Sequence, residues 1–241
     1  MTVAINAFWY GDRLTTMGRL SVASYLAHGH AYKLWTYGKV DGVPDGAELC
    51  DANQIVPRSD LKRFKNLANF SDWFRYRLLF REGGWYVDTD NVCMRPYPDA
   101  DVHVLAEEEQ NRICGAVLRA PKGSAMMKWC IDQVDALNVG RVRWDQIGPA
   151  LLTQALKQFP GLADCVRPPA IFMPVHWRQV EKFVVVGQMP DLPDETLSVH
   201  LWSELWRRKK WDRDAKYMNG CFYDLMQKRY LTNGLPVVAN K

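Results

Sequence analysis

An α/β fold follows from two features of this 241-residue sequence. Its first part alternates strand-like and helix-like segments, and a later helix-like run stops at Gly83-Gly84 before another apolar strand. Strands that alternate with helices imply a largely parallel sheet.

Each element has a local reason. Residues 3–11 form a β-rich run closed by Gly11-Asp12, read as a buried first strand. In residues 14–29, Leu14, Met17, Val22, Tyr25 and Leu26 fall near helical spacing, and Gly29 is the stop. Residues 32–38 read as a second strand, 43–46 as a turn, and 47–57 as a weak third strand. A helix is expected from Ser71 to Glu82, ended by the glycine pair, with 85–90 as the next strand. Strands are expected at 102–108 and 112–120, and a helix at 124–137. Pro149 suits the first turn of another helix reaching Phe159. The expected organisation is a single domain over 1–241, one α/β unit with an elaborated carboxyl-terminal half.

Composition narrows the function. A net charge of +4 without a long like-charge block argues against general nucleic-acid binding. No apolar run is long enough to span a bilayer, and residues 1–13 read as a first strand rather than an export signal. Six cysteines without a C-x-x-C pair suggest reduced thiols, hence a cytoplasmic setting. His28 and His30, in "HGH", read as a solvated loop.

The segment "GGWYVDTDNV" carries the chemistry. In a strand, Tyr86, Asp88 and Asp90 would share one face, the two carboxylates roughly 6.5 Å apart. Carboxyl ends of strands in open α/β sheets are where ligands bind, and such hard oxygen ligands suit Mn²⁺ or Mg²⁺ shared with phosphates. D-x-D also occurs at Asp99/Asp101 and Asp212/Asp214, but only the first pair ends an apolar strand after a helix and a glycine stop. The same residues fit D-x-D-x-V of haloacid-dehalogenase-like phosphohydrolases, with Asp191 and Asp194 as the downstream acids.

Extended upstream, the segment reads "FSDWFRYRLLFREGGWYVDTDNV". Its Ser-Asp-x-x-Arg-Tyr helix, Gly-Gly turn and D-x-D strand resemble the DXD-containing sugar glycosyltransferases. That group includes initiating α-1,6-mannosyltransferases and α-1,4-galactosyltransferases, and the core is similar to that of clostridial glucosylating toxins. "FWYG", "IGPALLTQAL" and "VHLWSELW" are weaker echoes, while Asn6 and Ile147 depart from the family's usual His and Thr. The resemblance implies a GT-A-type, Rossmann-like mixed sheet flanked by helices, with a nucleotide-sugar-binding half to about residue 110 and an acceptor half over 111–241; a non-catalytic sugar-nucleotide-binding protein on the same fold is a third reading. It also implies metal-dependent, retaining transfer from a nucleotide sugar, UDP-hexose preferred over GDP-mannose, to a glycan or lipid-linked glycan. By resemblance, Asp90 ligates the metal directly and Asp88 holds ribose or sugar hydroxyls, with a water-mediated contact to the metal. Asp72 binds the sugar and Arg75 the sugar or diphosphate. Without the resemblance, Asp72 and Arg75 are simply an i,i+3 ion pair.

Other residues follow from chemistry and position. Trp9, at the end of the first strand, can stack on a base or fill the core, and Tyr86 is expected to touch the donor. His200 can complete the metal shell with neutral imidazole. Trp202 and Trp206 can wall the donor pocket, form acceptor platforms or pack in the core. Arg207, Arg208, Lys209 and Lys210 beside Trp211 read as a solvated face or as a peripheral contact with an anionic inner membrane surface.

Overall fold

The computed structural model describes residues 3–99 and 101–231. Its chain begins as expected: β1 (Ala4–Phe8), α1 (Thr16–Ala27), β2 (Ala31–Thr36) and β3 (Ala47–Asp51). Thr15 caps α1, its hydroxyl accepting from the Gly18 amide at 3.1 Å. The rest of the third predicted strand winds into a short 3₁₀ turn, because the Asp51 carboxylate accepts from the Asn53 amide and starts a cap.

Helix α2 (Leu67–Glu82) starts four residues before Ser71 because Asn66 caps it, accepting from the Asn69 amide at 2.9 Å. It stops at Gly83, whose φ of 70° suits glycine. A Cβ there would also stand 2.6 Å from the Lys122 amide nitrogen. Strand β4 (Gly84–Val87) is shorter than expected, for the chain turns at Asp88 and re-enters extended structure as β5 (Asn91–Cys93).

There follow β6 (Val104–Glu109), β7 (Arg112–Ala120), α3 (Ala125–Asp135), α4 (Pro149–Gln158), β8 (Val166–Arg167) and α5 (Pro169–Phe172). Then come β9 (Ser198–His200), α6 (Ser203–Arg208) and α7 (Phe222–Leu231). Seven strands form one sheet in the order β3-β2-β1-β4-β7-β6-β8. Strands β3, β2, β1 and β4 run parallel, β7 is antiparallel to both β4 and β6, and β8 runs parallel to β6. The sheet is therefore mixed, with β1 and β4 ending side by side where Asp88 begins.

One face of the sheet packs on α2, α3 and α4 through Phe70, Phe74, Met127 and Leu152. The other packs on α1 and α5 through Tyr25, Trp85 and Phe172. A third cluster joins α1 to α6 and α7 around Trp206, Phe183 and Tyr223. It anchors the separate β5–β9 pair, through Val92 and Val199, against α1, α6 and α7.

Candidate active site

Two halves of the chain meet at the end of β4. The first is local. Asp72 and Arg75 lie three apart on α2, and the Arg75 guanidinium reaches both Asp72 (3.3 Å) and Asp88 (3.1 Å). Arg75 also donates to the Ser71 carbonyl at 3.3 Å and stands 4.9 Å over the Tyr86 ring. Room for this pair comes from two glycines. A Cβ on Gly115 of β7 would overlap the Arg75 guanidinium, and one on Gly148 would stand 2.5 Å from an Asp72 carboxylate oxygen.

The second half arrives from over a hundred residues later. Pairing of Asn91 with His200 in the β5–β9 ribbon sets the imidazole beside Asp90, Nε2 lying 3.3 Å from Oδ1. Trp202 then adopts a left-handed conformation (φ 59°, ψ 52°), and the next amide, that of Ser203, donates to Asp90 Oδ2 at 2.8 Å. The Trp202 indole stacks 4.2 Å from His200 and donates to the Val175 carbonyl at 2.9 Å.

Oxygen and nitrogen atoms of Asp88, Asp90 and His200 converge within 4.8 Å of one another. Two carboxylates and one imidazole suit Mn²⁺ or Mg²⁺. His200 Nδ1 is buried without a partner among the described residues, so the Nε2 edge facing Asp90 makes the only polar contact of the ring. The residues present fit a divalent ion.

Charge in the site is unevenly held. Burial pushes the Asp72 carboxyl up to about 7, with Asp88 adding to it against the pull of Arg75. Burial, helped by Asp90, also lifts Asp88 above the usual carboxylate range despite Arg75. Burial acts on Asp90 too, but His200 and the Ser203 amide override it and hold that carboxyl well below the usual range. Burial opposes a proton on His200, yet Asp90 outweighs it and keeps the imidazole pKa above its ordinary value.

Several expectations change. Asp88 and Asp90 occupy a turn, not a shared strand face with Tyr86, because β4 ends at Val87. Tyr86 is fully buried, its hydroxyl 3.3 Å from Ser71, so it lies beneath Arg75 instead of facing a donor. Trp206 is fully buried, with its indole bonded to the Leu201 carbonyl at 2.8 Å, so it is core. Trp9 lies just past β1, half-buried, with its Nε1 enclosed and unpartnered among the described residues. Asp191 and Asp194 are exposed, and Asp194 pairs with Arg95 at 3.8 Å, so they do not complete a phosphohydrolase site.

The other two D-x-D pairs have structural partners. Asp101 faces Arg119 at 3.8 Å, and Asp214 accepts the first amide of α1 at 2.5 Å. Part of the basic run is paired: Arg207 and Arg208 share Glu204, at 2.7 and 3.0 Å, and Lys209 pairs with Glu181 at 2.6 Å. Sequence reasoning missed Gly115, which no signal marks. It also missed the Ser203 amide, which only the left-handed Trp202 aims at Asp90.

This mixed sheet with its flanking helices is similar in fold to solved GT-A-type glycosyltransferases. Residues 32–111 match the family model described as a glycosyltransferase sugar-binding region containing the DXD motif. Lactosylceramide 4-alpha-galactosyltransferase of Pongo pygmaeus is 28% identical over 152 residues, 57% of this chain and 68% of that protein. The Homo sapiens protein of that name is also 28% identical, but the match spans only 42% of it. Among solved structures, the PaToxG glycosyltransferase has a TM-score of 0.52 at 18% identity, covering 68% of this chain and 72% of that one. Apo glycosyltransferase GlyE of Streptococcus pneumoniae TIGR4 has a TM-score of 0.54 at 12% identity, covering 96% and 61%. The resemblance read from the sequence is borne out, as are the fold and the enzyme class it implied.

Proposed function

We propose that the protein moves a hexose from a nucleotide sugar to a hydroxyl of a glycan or glycolipid, with a divalent cation and with retention at the anomeric carbon. The observation that carries this is the convergence of Asp88, Asp90 and His200 beside the Asp72–Arg75 pair. UDP-hexose is the preferred donor, and the names of the curated relatives favour a galactosyl-type sugar.

Asp90 and His200, with Asp88, would hold Mn²⁺ or Mg²⁺. The ion supplies positive charge against the departing diphosphate. Arg75, paired with Asp88 and Asp72, adds a guanidinium on the side facing α2. Asp72, with its carboxyl near 7, can accept from or donate to a sugar hydroxyl. Trp9 offers a face for the base, and Trp202 walls the site beside His200. All three carboxylates are already engaged by Arg75, His200 or the Ser203 amide. That favours front-face transfer over attack by a carboxylate. The setting proposed is cytoplasmic, with peripheral contact to anionic lipid through the segment around Arg207, Arg208, Lys209 and Lys210.

A thermal-shift panel tests the reading. UDP or UDP-hexose should raise the melting temperature with Mn²⁺ far more than with EDTA, because a ligand stabilises by mass action. Asp90→Ala should lose that metal-dependent increment, whereas Asp99→Ala should keep it. Equal shifts with Mn²⁺ and EDTA would remove the metal–diphosphate site. Hydrolysis of phosphomonoesters without sugar transfer would restore the phosphohydrolase reading.

A further inference from the structure

Trp144 is 50% exposed, yet the turn that carries it is firmly fixed. Val142 and Ile147 on either side are buried. The Asp145 carbonyl accepts the Gly148 and Ala150 amides at 3.3 and 3.2 Å. Helix α2 holds the turn at two further points: Asn69 donates to the Arg143 carbonyl at 3.3 Å, and the Tyr76 hydroxyl to the Ile147 carbonyl at 2.8 Å. That same helix carries Asp72 and Arg75, and Gly148 of the same turn abuts the Asp72 carboxylate.

On its other side Trp144 meets α6. The Arg208 guanidinium lies 5.5 Å from the indole centroid, and α6 is the helix whose first amide holds Asp90. Trp144 thus bridges the two elements that flank the reaction centre, one carrying the Asp72–Arg75 pair and the other fixing Asp90. Its surroundings are polar and of mixed sign. Arg208 is shared with Glu204, and Asp145 faces Arg112 at 3.9 Å. The indole is a half-exposed ring bordered by charge. One held among guanidinium and carboxylate groups suits a pyranose, whose C–H face packs on the indole while its hydroxyls find polar partners.

We propose that Trp144 is the platform for a sugar ring of the acceptor glycan, with Arg208 backing the indole and Asp145 beside it in the chain. This rests on the transferase reading above and adds to it a place and a ligand class for the acceptor. The pyranose occupies the indole face opposite Arg208.

The test uses the full chain with Mn²⁺, the UDP-hexose that gives the largest thermal shift, and lactose, maltose and cellobiose as acceptor probes. Trp144→Ala should raise KM for the preferred disaccharide about ten-fold or more, while KM for UDP-hexose changes less than two-fold. Trp144→Phe should restore acceptor KM to within about three-fold of wild type. A second readout does not need turnover. Disaccharide added with UDP and Mn²⁺ should quench tryptophan fluorescence in wild type, and that quench should disappear in Trp144→Phe. Three results would overturn the assignment: unchanged acceptor KM and quench in both variants, a rise in donor KM alone, or an effect seen only with a lipid-linked acceptor. Absence of any Mn²⁺-dependent UDP shift would instead strike the transferase reading, leaving the quench to decide on Trp144.

Discussion

Replacing Asp72 with Asn removes a charge and almost no volume, and so isolates what burying that charge costs. The carboxyl is pushed up to about 7 from an ordinary 3.8, burial being the main cause. A folded pKa above the unfolded one means that the folded state binds more protons between about pH 4 and pH 7. Stability from this group is therefore fully present below pH 4 and is lost as pH rises through 7. At 1.36 kcal/mol per unit, a shift of three units sets a ceiling of about 4 kcal/mol of destabilisation at alkaline pH. Between pH 5 and pH 8 the penalty grows by about 2.5 kcal/mol.

Asn at position 72 escapes this penalty. It keeps a carbonyl oxygen for the Arg75 contact at 3.3 Å, and Arg75 keeps Asp88 as its counter-charge. The variant should melt higher than wild type at pH 8, and the gap should widen by about 5–10 °C from pH 5 to pH 8 in a metal-free buffer. Transfer should move the other way. Loss of a charged hydrogen bond to the sugar, about 1.5–3 kcal/mol, lowers kcat/KM by about ten- to a hundred-fold. Melting curves at four pH values and initial rates at sub-saturating donor measure both. A variant that melts lower than wild type at pH 8, or a gap that does not change with pH, would refute the burial argument.

Two other predictions follow from the same geometry. Gly148→Ala should cost about 1–3 kcal/mol, since its Cβ would stand 2.5 Å from an Asp72 carboxylate oxygen. Combining it with Asp72→Ala should return most of that stability, and additive losses in the double variant would show that the clash is elsewhere. Peripheral membrane contact should be weak and salt-sensitive, because Arg207, Arg208 and Lys209 are already paired with Glu204 and Glu181. Sedimentation with anionic liposomes should fall sharply between low and half-molar salt, and no binding at low salt would end the idea.

Much of the fold was legible because its signals are local. Gly29, Gly83 and Pro149 mark helix ends by mechanisms that need no tertiary context, and α1 and α2 stop and α4 starts close to those residues. The i,i+3 spacing of Asp72 and Arg75 was visible for the same reason. Reading β4 through Asp90 failed because alternation cannot tell an extended residue from the first residue of a turn, and the Asn91 amide closing on the Asp88 carbonyl at 3.1 Å makes it a turn. His28 and His30 were expected in a solvated loop. Instead His30 is buried and accepts from the Tyr97 amide at 3.0 Å, a partner 67 residues away that no local pattern discloses.

His200 and Trp202 show why the late half of the site was only partly legible. A late histidine and a tryptophan could be picked out as residue types, but their purpose depends on a backbone conformation that sequence disguises. A left-handed residue usually advertises itself as glycine, because a side chain there costs about 1–3 kcal/mol. At position 202 the side chain offsets that cost by its bond to the Val175 carbonyl and its stacking on His200. Glycine at 202 would relax the backbone and lose both contacts, freeing the ring of a histidine whose Nδ1 has no partner among the described residues to fix it. The strain at Trp202 thus serves a single geometric end: it turns the Ser203 amide onto one oxygen of Asp90 while the imidazole addresses the other. One carboxylate of the pair is therefore set by α2 and the other by the β9–α6 corner. The spacing between them is a property of how the two halves of the chain pack, which no ten-residue motif contains.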